Sequence, residues 1–224
     1  MKKLFIIIVS IITSAWSVSA QNIFFPSKQG MKLVYVNMNE KGKPESFTRQ
    51  TILSVVGAGD NMVINYLSQV LDKNQNQIGD TPIEIPMTVT VNDGVVELDM
   101  RNFGSPGTES FIEIEGDKLR IPPTLTPGDK LEDVNFIITL NMGFKIRTEV
   151  SLIDQECLAI EEITVPAGVF ECHKVTQTSH AKVMRQTAKT TIITWYAPNV
   201  GTVKSETYNE KGKLQSSTEL FSIE

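Results

Sequence analysis

Histidine and cysteine are the side chains of this sequence best suited to bind a metal or act as a nucleophile, and they are few. The sequence has two of each, and His173 directly follows Cys172. A thiol protease needs an imidazole that can take the thiol proton, but neighbouring residues of a strand point to opposite faces. His173 and His180 are seven residues apart, which also places them on opposite faces. We therefore expect no thiol nucleophile, no metal and no cofactor.

Acidic residues recur at Glu109, Glu113 and Glu115, and paired carboxylates are the acid and base of glycoside hydrolases. On an extended segment these three side chains share a face with Phe111. A charged, solvent-facing side of a sheet explains the same row without any chemistry, and we favour that interpretation. The sequence therefore predicts no catalytic residue.

The elements that would position these side chains are strands. In 47–56, Phe47, Thr51, Leu53 and Val55 share one face, which predicts a half-buried strand. No window after the N-terminus shows the periodicity of an amphipathic helix. Similar extended segments cover 31–38, 62–71, 87–91, 95–100, 110–115, 134–141, 144–153, 158–165, 169–179, 189–196, 201–208 and 214–223.

The connections between these segments are short turns, including the pentapeptide Asn-Glu-Lys-Gly-Lys at 39–43 and again at 209–213. Strands joined mainly by hairpins do not form a compact parallel sheet. We therefore predict an all-β protein, with a single antiparallel sheet strongly curved into a roll or a half-barrel. One domain should span residues 21–224, and a ligand would bind on the concave face.

The N-terminus carries the pattern of an export signal. Lys2 and Lys3 precede an apolar run, and small residues end at Ala20, so we expect a signal peptide at 1–20 that is cleaved before Gln21. No cysteine follows that point for acylation, and no later segment is apolar for long enough to span a bilayer. We expect a periplasmic or secreted protein without a transmembrane segment after cleavage.

Net charge bears on the class of partner. Residues 1–20 hold two of the 21 basic residues and none of the 26 acidic residues, so the remainder has a formal charge of −7. An acidic protein is a poor partner for a phosphate backbone, and we expect no nucleic acid.

Cys157 and Cys172 could form a disulfide in an oxidising compartment. If strands run on both sides of Pro166 and Ala167, tight pairing puts Cys172 opposite Glu161, four residues away from Cys157. This register argues against a simple cross-hairpin bridge, whereas bulges or other pairings would allow one. The alternatives are a disulfide and two small buried side chains.

Two motifs carry a resemblance to a known family. The sequence VPAGVFECHKV at 165–175 is followed by WYAPNVGTVK at 195–204. Together they resemble the exported bacterial domain-of-unknown-function family that includes TapB-like proteins. The resemblance implies an envelope β-protein and no activity. The motif residues look structural, with turn, core or rim positions for Pro166, Gly168, Phe170, Trp195, Tyr196, Pro198 and Gly201.

Three functions remain open at this point. The leading hypothesis is a non-catalytic binding or assembly module of the cell envelope, whose partner is an unknown envelope protein, glycan or apolar ligand. The alternative is a periplasmic carrier of a lipid or other apolar molecule in the concave face, motivated by residues such as Met62, Ile64, Met142 and Phe144. A glycan hydrolase that uses paired acids is the third.

Overall fold

The computed structural model describes residues 23–99, 101, 112–141 and 143–224. Within these ranges there is no α-helix, and thirteen strands form one sheet. The strands are β1 (Lys32–Asn39), β2 (Pro44–Ala58), β3 (Asn61–Asp72), β4 (Ile83–Asn92), β5 (Val95–Leu98), β6 (Ile112–Gly116), β7 (Leu119–Ile121), β8 (Val134–Asn141), β9 (Lys145–Val165), β10 (Gly168–Val183), β11 (Gln186–Ala197), β12 (Gly201–Asn209) and β13 (Leu214–Ile223).

The strand order is β6-β8-β9-β10-β11-β12-β13-β1-β2-β3-β4-β5-β7. Every pairing in this ladder is antiparallel, so the predicted all-β fold with a single antiparallel sheet is confirmed. In the described part of the chain no pairing joins the two end strands, β6 and β7, so the ladder is not that of a closed barrel. The strong curvature into a roll or half-barrel stays a prediction.

Two strand boundaries differ from those expected from the sequence. The segments 144–153 and 158–165 form the single strand β9, because Asp154 adopts a φ of 54° and a register shift against β10 absorbs the irregular residues. The three-residue strand β7 was not predicted, since so short a run has no visible alternation. Residues 1–20, the loop at 104–107 and Glu109 lie outside the described residues.

The apolar side chains form three buried clusters. The first cluster lies on one face of β3, β4 and β5 and includes Ile64 and Val89. The second cluster joins β1 and β13 to the β9–β10 hairpin and includes Leu33 and Trp195. The third and smallest cluster, which includes Phe47, lies on the opposite face of β1 and β2. Strands β1 and β2 therefore contribute buried side chains to both faces of the sheet.

The prediction of one apolar face along β2 was wrong. Phe47 is buried in the third cluster, Leu53 is 49% exposed, and Val55 packs against the first cluster. A register shift between Ile52 and Ser54 explains the change, because an extra residue rotates the side chains that follow it.

The two Asn-Glu-Lys-Gly-Lys segments form matching hairpin turns side by side in the sheet. In each turn the asparagine Oδ1 accepts hydrogen bonds from two backbone N–H groups, and the glycine has a positive φ, 69° at Gly42 and 72° at Gly212. Lys213 forms an ion pair with Glu40 of the other turn at 2.7 Å. Among the described residues, no helix is long and apolar enough to cross a membrane.

Candidate functional site

A cavity of about 280 Å³ lies against the face of the sheet that carries the first cluster. Its apolar walls come from β4, β5 and β7 and from an N-terminal segment that precedes β1, and its polar side comes from β1, β2 and β13. The lining residues are Phe24, Phe25, Pro26, Tyr35, Asn37, Thr48, Gln50, Tyr66, Val89, Val96, Leu98, Leu119, Ile121, Tyr196, Val200, Gly201, Thr202 and Thr218. Shape and composition are those of a small-molecule site, which is concave and mostly apolar with a few polar groups.

The N-terminal segment 23–26, which we call the strap, closes one side of the cavity. Phe24 is 2% exposed, and its ring makes edge-on contacts with His173 at 4.9 Å and Tyr196 at 6.4 Å between ring centroids. The Ile23 carbonyl accepts a hydrogen bond from the backbone N–H of Asn199. The first residues of the described chain are therefore part of the core.

Gly201 is required where the strap passes the turn before β12. Its φ is 85°, and a Cβ added there would lie 3.4 Å from the Phe24 carbonyl oxygen and 3.4 Å from the Pro26 ring. Glycine alone adopts this backbone conformation without strain and leaves room for the strap. The predicted structural residue thus lies at the edge of the cavity.

Three of the four tyrosines of the chain line the cavity. Burial raises the pKa of Tyr66 to about 12, and burial together with the nearby Tyr66 raises the pKa of Tyr35 further. Burial also raises the pKa of Tyr196, while a hydrogen bond with Thr194 opposes the shift. These phenols remain protonated at physiological pH and can donate hydrogen bonds.

The polar side of the cavity is largely satisfied by its own contacts. The Asn37 amide donates to Ser46 and Thr48, and its Oδ1 accepts a hydrogen bond from Thr218 at 3.0 Å. No Asp, Glu, Lys, Arg or His occurs among the lining residues that the structure describes. The cavity is therefore a neutral environment with hydroxyl and amide groups on one side.

The motif residues of the β9–β10 hairpin lie in a turn and in the second cluster. Pro166 occupies the turn, Gly168 has a φ of 138°, and Phe170 is partly buried against the cluster. The Ala167 N–H donates to the Leu220 carbonyl of β13, so the hairpin tip packs onto a distant part of the sheet.

Trp195 and Tyr196, which are adjacent in sequence, point to different environments. Trp195 is buried in the second cluster, with the Lys174 and Lys204 ammonium groups 5.2 Å and 5.5 Å from its ring centroid. Its indole N–H donates to Glu161, and this bond, together with Lys174, lowers the pKa of the Glu161 carboxyl. Tyr196 lines the cavity, whereas Pro198 and Gly201 border the turn between β11 and β12.

Cys157 and Cys172 are buried and have free thiols in this structure, so no disulfide joins them. The predicted register is confirmed, since Cys172 pairs with Glu161 and Cys157 pairs with Val175, and the two thiols belong to different clusters. Burial raises the pKa of Cys157, and burial with the nearby acids Glu161 and Glu171 raises the pKa of Cys172 to about 11. Neither thiol is activated as a nucleophile.

The other candidate residues do not converge on a site. His173 lies 2.6 Å from the Leu125 carbonyl through Nδ1, whereas His180 pairs with Lys189 towards the far end of β10. Glu113 and Glu115 are exposed on the edge strand β6. In the ranges the structure covers, no group of three or more His, Cys, Asp or Glu side chains could hold a metal ion.

Sequence reasoning did not locate the cavity: it named Tyr196 and Gly201, which line the cavity, only as structural motif residues. Of the apolar residues proposed for a carrier, Met62 and Ile64 are buried in the first cluster and Phe144 is 62% exposed, and none of these three lines the cavity. Met142 lies outside the described residues. Tyr35, Tyr66 and the strap were not singled out. The sequence signal that could have identified these two residues is a tyrosine on the apolar face of a strand.

Comparisons with known proteins identify the family and the fold. A crystal structure of a protein described as exported, with a YmcC-like fold, from Bacteroides fragilis has 24% identity and a TM-score of 0.74 over 91% of this chain and 99% of that chain. A protein described as a lipoprotein from Parabacteroides distasonis has 21% identity and a TM-score of 0.75 over the same shares. No curated protein matches. The profile of the family described as DUF3108-like matches residues 28–220. A specific relation to TapB-like proteins stays a prediction, but the chain belongs to the DUF3108-like family.

Proposed function

We propose that this protein is an exported, non-catalytic binding module of the cell envelope that holds a small apolar ligand in the cavity. The observation that carries the proposal is the cavity itself, which has about 280 Å³ of space, mostly apolar walls and no charged lining residue among those described. Small-molecule sites have this composition. General acid–base chemistry works best with a pKa near the operating pH, whereas the titratable side chains among the described lining residues are three tyrosines whose pKa values are raised by burial. A carrier function in the periplasm is a special case of this proposal.

Curvature of the sheet is part of the proposal. Tyr196 of β11 and Ile121 of β7 both line the cavity, yet these strands are eight positions apart in the ladder. In a flat sheet, strands spaced by about 4.8 Å would lie on the order of 40 Å apart. This distance supports a sheet that curves around the cavity as a roll or half-barrel.

Export is supported by the signal pattern at 1–20 and by the description of one structural neighbour as an exported protein. N-terminal sequencing of the protein from a periplasmic or secreted fraction should begin at Gln21. A mature protein that keeps residues 1–20 would contradict this part of the proposal.

The binding function can be tested with 1-aminoanthracene, a neutral aromatic probe whose fluorescence rises in apolar surroundings. Leu119→Trp adds bulk to a cavity wall, and Leu158→Trp makes the same change at a residue that is 45% exposed and does not line the cavity. We expect saturable binding to the wild type and to Leu158→Trp, and binding at least about tenfold weaker to Leu119→Trp. An absence of saturable binding by both 1-aminoanthracene and the two-ring compound naphthalene, or equal affinities of the two variants, would refute the cavity as a ligand site.

A further inference from the structure

Two buried tyrosine hydroxyl groups of the cavity have no hydrogen-bond partner in the described part of the chain. Tyr35 and Tyr66 are 6% and 5% exposed, and neither hydroxyl forms a hydrogen bond with a described residue. Neither oxygen is among the atoms fully enclosed by protein without a partner, so both retain contact with open space. Both residues line the cavity. Buried hydroxyls are almost always hydrogen-bonded, and a molecule in the cavity, water or ligand, can provide the partner.

The charge of the lining restricts the class of that molecule. The described lining residues include no side chain that could neutralise a carboxylate, a phosphate or an ammonium group. A charged group placed in the cavity would lose its hydration without gaining a counter-ion, which is strongly unfavourable. The phenols remain protonated and therefore offer donors to an acceptor oxygen.

The volume restricts the size. A protein cavity of about 150 Å³ lined by apolar side chains binds benzene. The present cavity, at about 280 Å³, is roughly twice as large. It matches a molecule, or a part of one, the size of two fused rings.

We propose that the cavity selects an uncharged, mainly apolar ligand of about two-ring size that carries one acceptor oxygen, such as a hydroxyl or carbonyl, against Tyr35 and Tyr66. The assignment of this ligand class rests on the proposed binding function. It adds that the polar group of the ligand is neutral and that the two phenols recognise it.

Three related compounds test the class on the unmodified protein. Naphthalene is the apolar body alone, 2-naphthol adds a neutral oxygen, and 2-naphthoate adds a charged one. In competition with 1-aminoanthracene at pH 7, 2-naphthol should bind about 3- to 10-fold more tightly than naphthalene. 2-Naphthoate should bind at least about tenfold more weakly than 2-naphthol. Tighter binding of 2-naphthoate than of 2-naphthol would overturn the proposal.

Removal of one tyrosine hydroxyl at a time tests whether Tyr35 and Tyr66 recognise the oxygen of the ligand. Tyr35→Phe and Tyr66→Phe should each weaken 2-naphthol binding by about 3- to 10-fold and leave naphthalene binding unchanged. The control is Tyr208→Phe, since Tyr208 does not line the cavity and donates its hydroxyl hydrogen bond to Glu206. If either tyrosine variant fails to fold, the order of affinities of the three compounds for the wild type still tests the proposed ligand class.

The two proposals fail in different ways. Equal binding of naphthalene and 2-naphthol to the wild type and to the phenylalanine variants would overturn the ligand class while the apolar cavity stands. An absence of binding by 1-aminoanthracene and by all three compounds would overturn the binding function, and the ligand class with it.

Discussion

Replacement of Phe24 by alanine removes the side chain that anchors the strap over the cavity. Phe24 is 2% exposed and contacts the rings of His173 and Tyr196, so the substitution leaves an empty space between the strap and β10 and β11. This substitution should therefore be costly even though the residue lies only four positions after the expected cleavage site.

The magnitude follows from the burial. Truncation of a fully buried phenylalanine to alanine destabilises proteins by about 3–5 kcal/mol, which includes the lost transfer free energy and the cavity left behind. Part of this loss comes from the two edge-on aromatic contacts, each worth about 0.5–1.5 kcal/mol beyond the buried area. We therefore expect Phe24→Ala to lower the free energy of unfolding by about 4 kcal/mol, a large share of the stability of an ordinary domain.

The assay is urea unfolding of the mature protein, followed by far-UV circular dichroism. Phe144→Ala is the matched control, because the same change is made at a side chain that is 62% exposed. The control should change the free energy of unfolding by less than about 0.5 kcal/mol. If Phe24→Ala lowers the free energy of unfolding by less than about 1 kcal/mol, the strap does not pack as described. That result would contradict the description of the strap as one wall of the cavity.

Three further predictions concern the turn, the thiols and the tyrosines. In urea unfolding, Gly201→Val should lower the free energy of unfolding by at least about 1 kcal/mol more than Gly212→Val. Both glycines have a positive φ, but only at Gly201 would the added side chain contact the strap. Equal losses for the two variants would contradict this contact. Cys157 and Cys172 should react with a thiol reagent only after denaturation, and then as two free thiols. Detection of fewer than two thiols in the denatured, unreduced protein would reveal a disulfide. The free energy of unfolding should fall as pH rises from about 10 to 12, and Tyr66 should contribute about 1.4 kcal/mol per pH unit to this fall. The reason is that the Tyr66 phenol has a pKa near 10 in the unfolded chain and about 12 in the folded one. The contribution of Tyr66 should be absent below about pH 9, and the total fall should be smaller in Tyr66→Phe.

Much of the fold could be predicted from the sequence because its signals are local. Alternation and turn chemistry located nearly all strands, and the tight turn at Pro166 fixed the register that places Cys172 opposite Glu161. The bulge in β2 and the join within β9 could not be predicted, because an extra residue in a ladder has no local sequence signal.

The cavity was harder to predict than the strands. Its lining residues come from strands far apart in the ladder and from the strap, so no local sequence pattern indicates that they surround one space. Tyr35 and Tyr66 each fit an alternating strand, and only the folded chain shows that both residues line one cavity. The Phe170 side chain, expected in the core from its motif, packs at the edge of the second cluster and is only partly buried.

Native mass spectrometry of the protein purified from its own cell envelope tests the central claim most directly, with organic extraction of any released molecule. The wild type and Leu158→Trp should retain a small, uncharged apolar compound at a stoichiometry near one, and Leu119→Trp should be isolated without it. The same ligand occupancy in both tryptophan variants would contradict the assignment of the cavity as the functional site. A wild type that carries no bound molecule and binds neither 1-aminoanthracene nor naphthalene would contradict it as well.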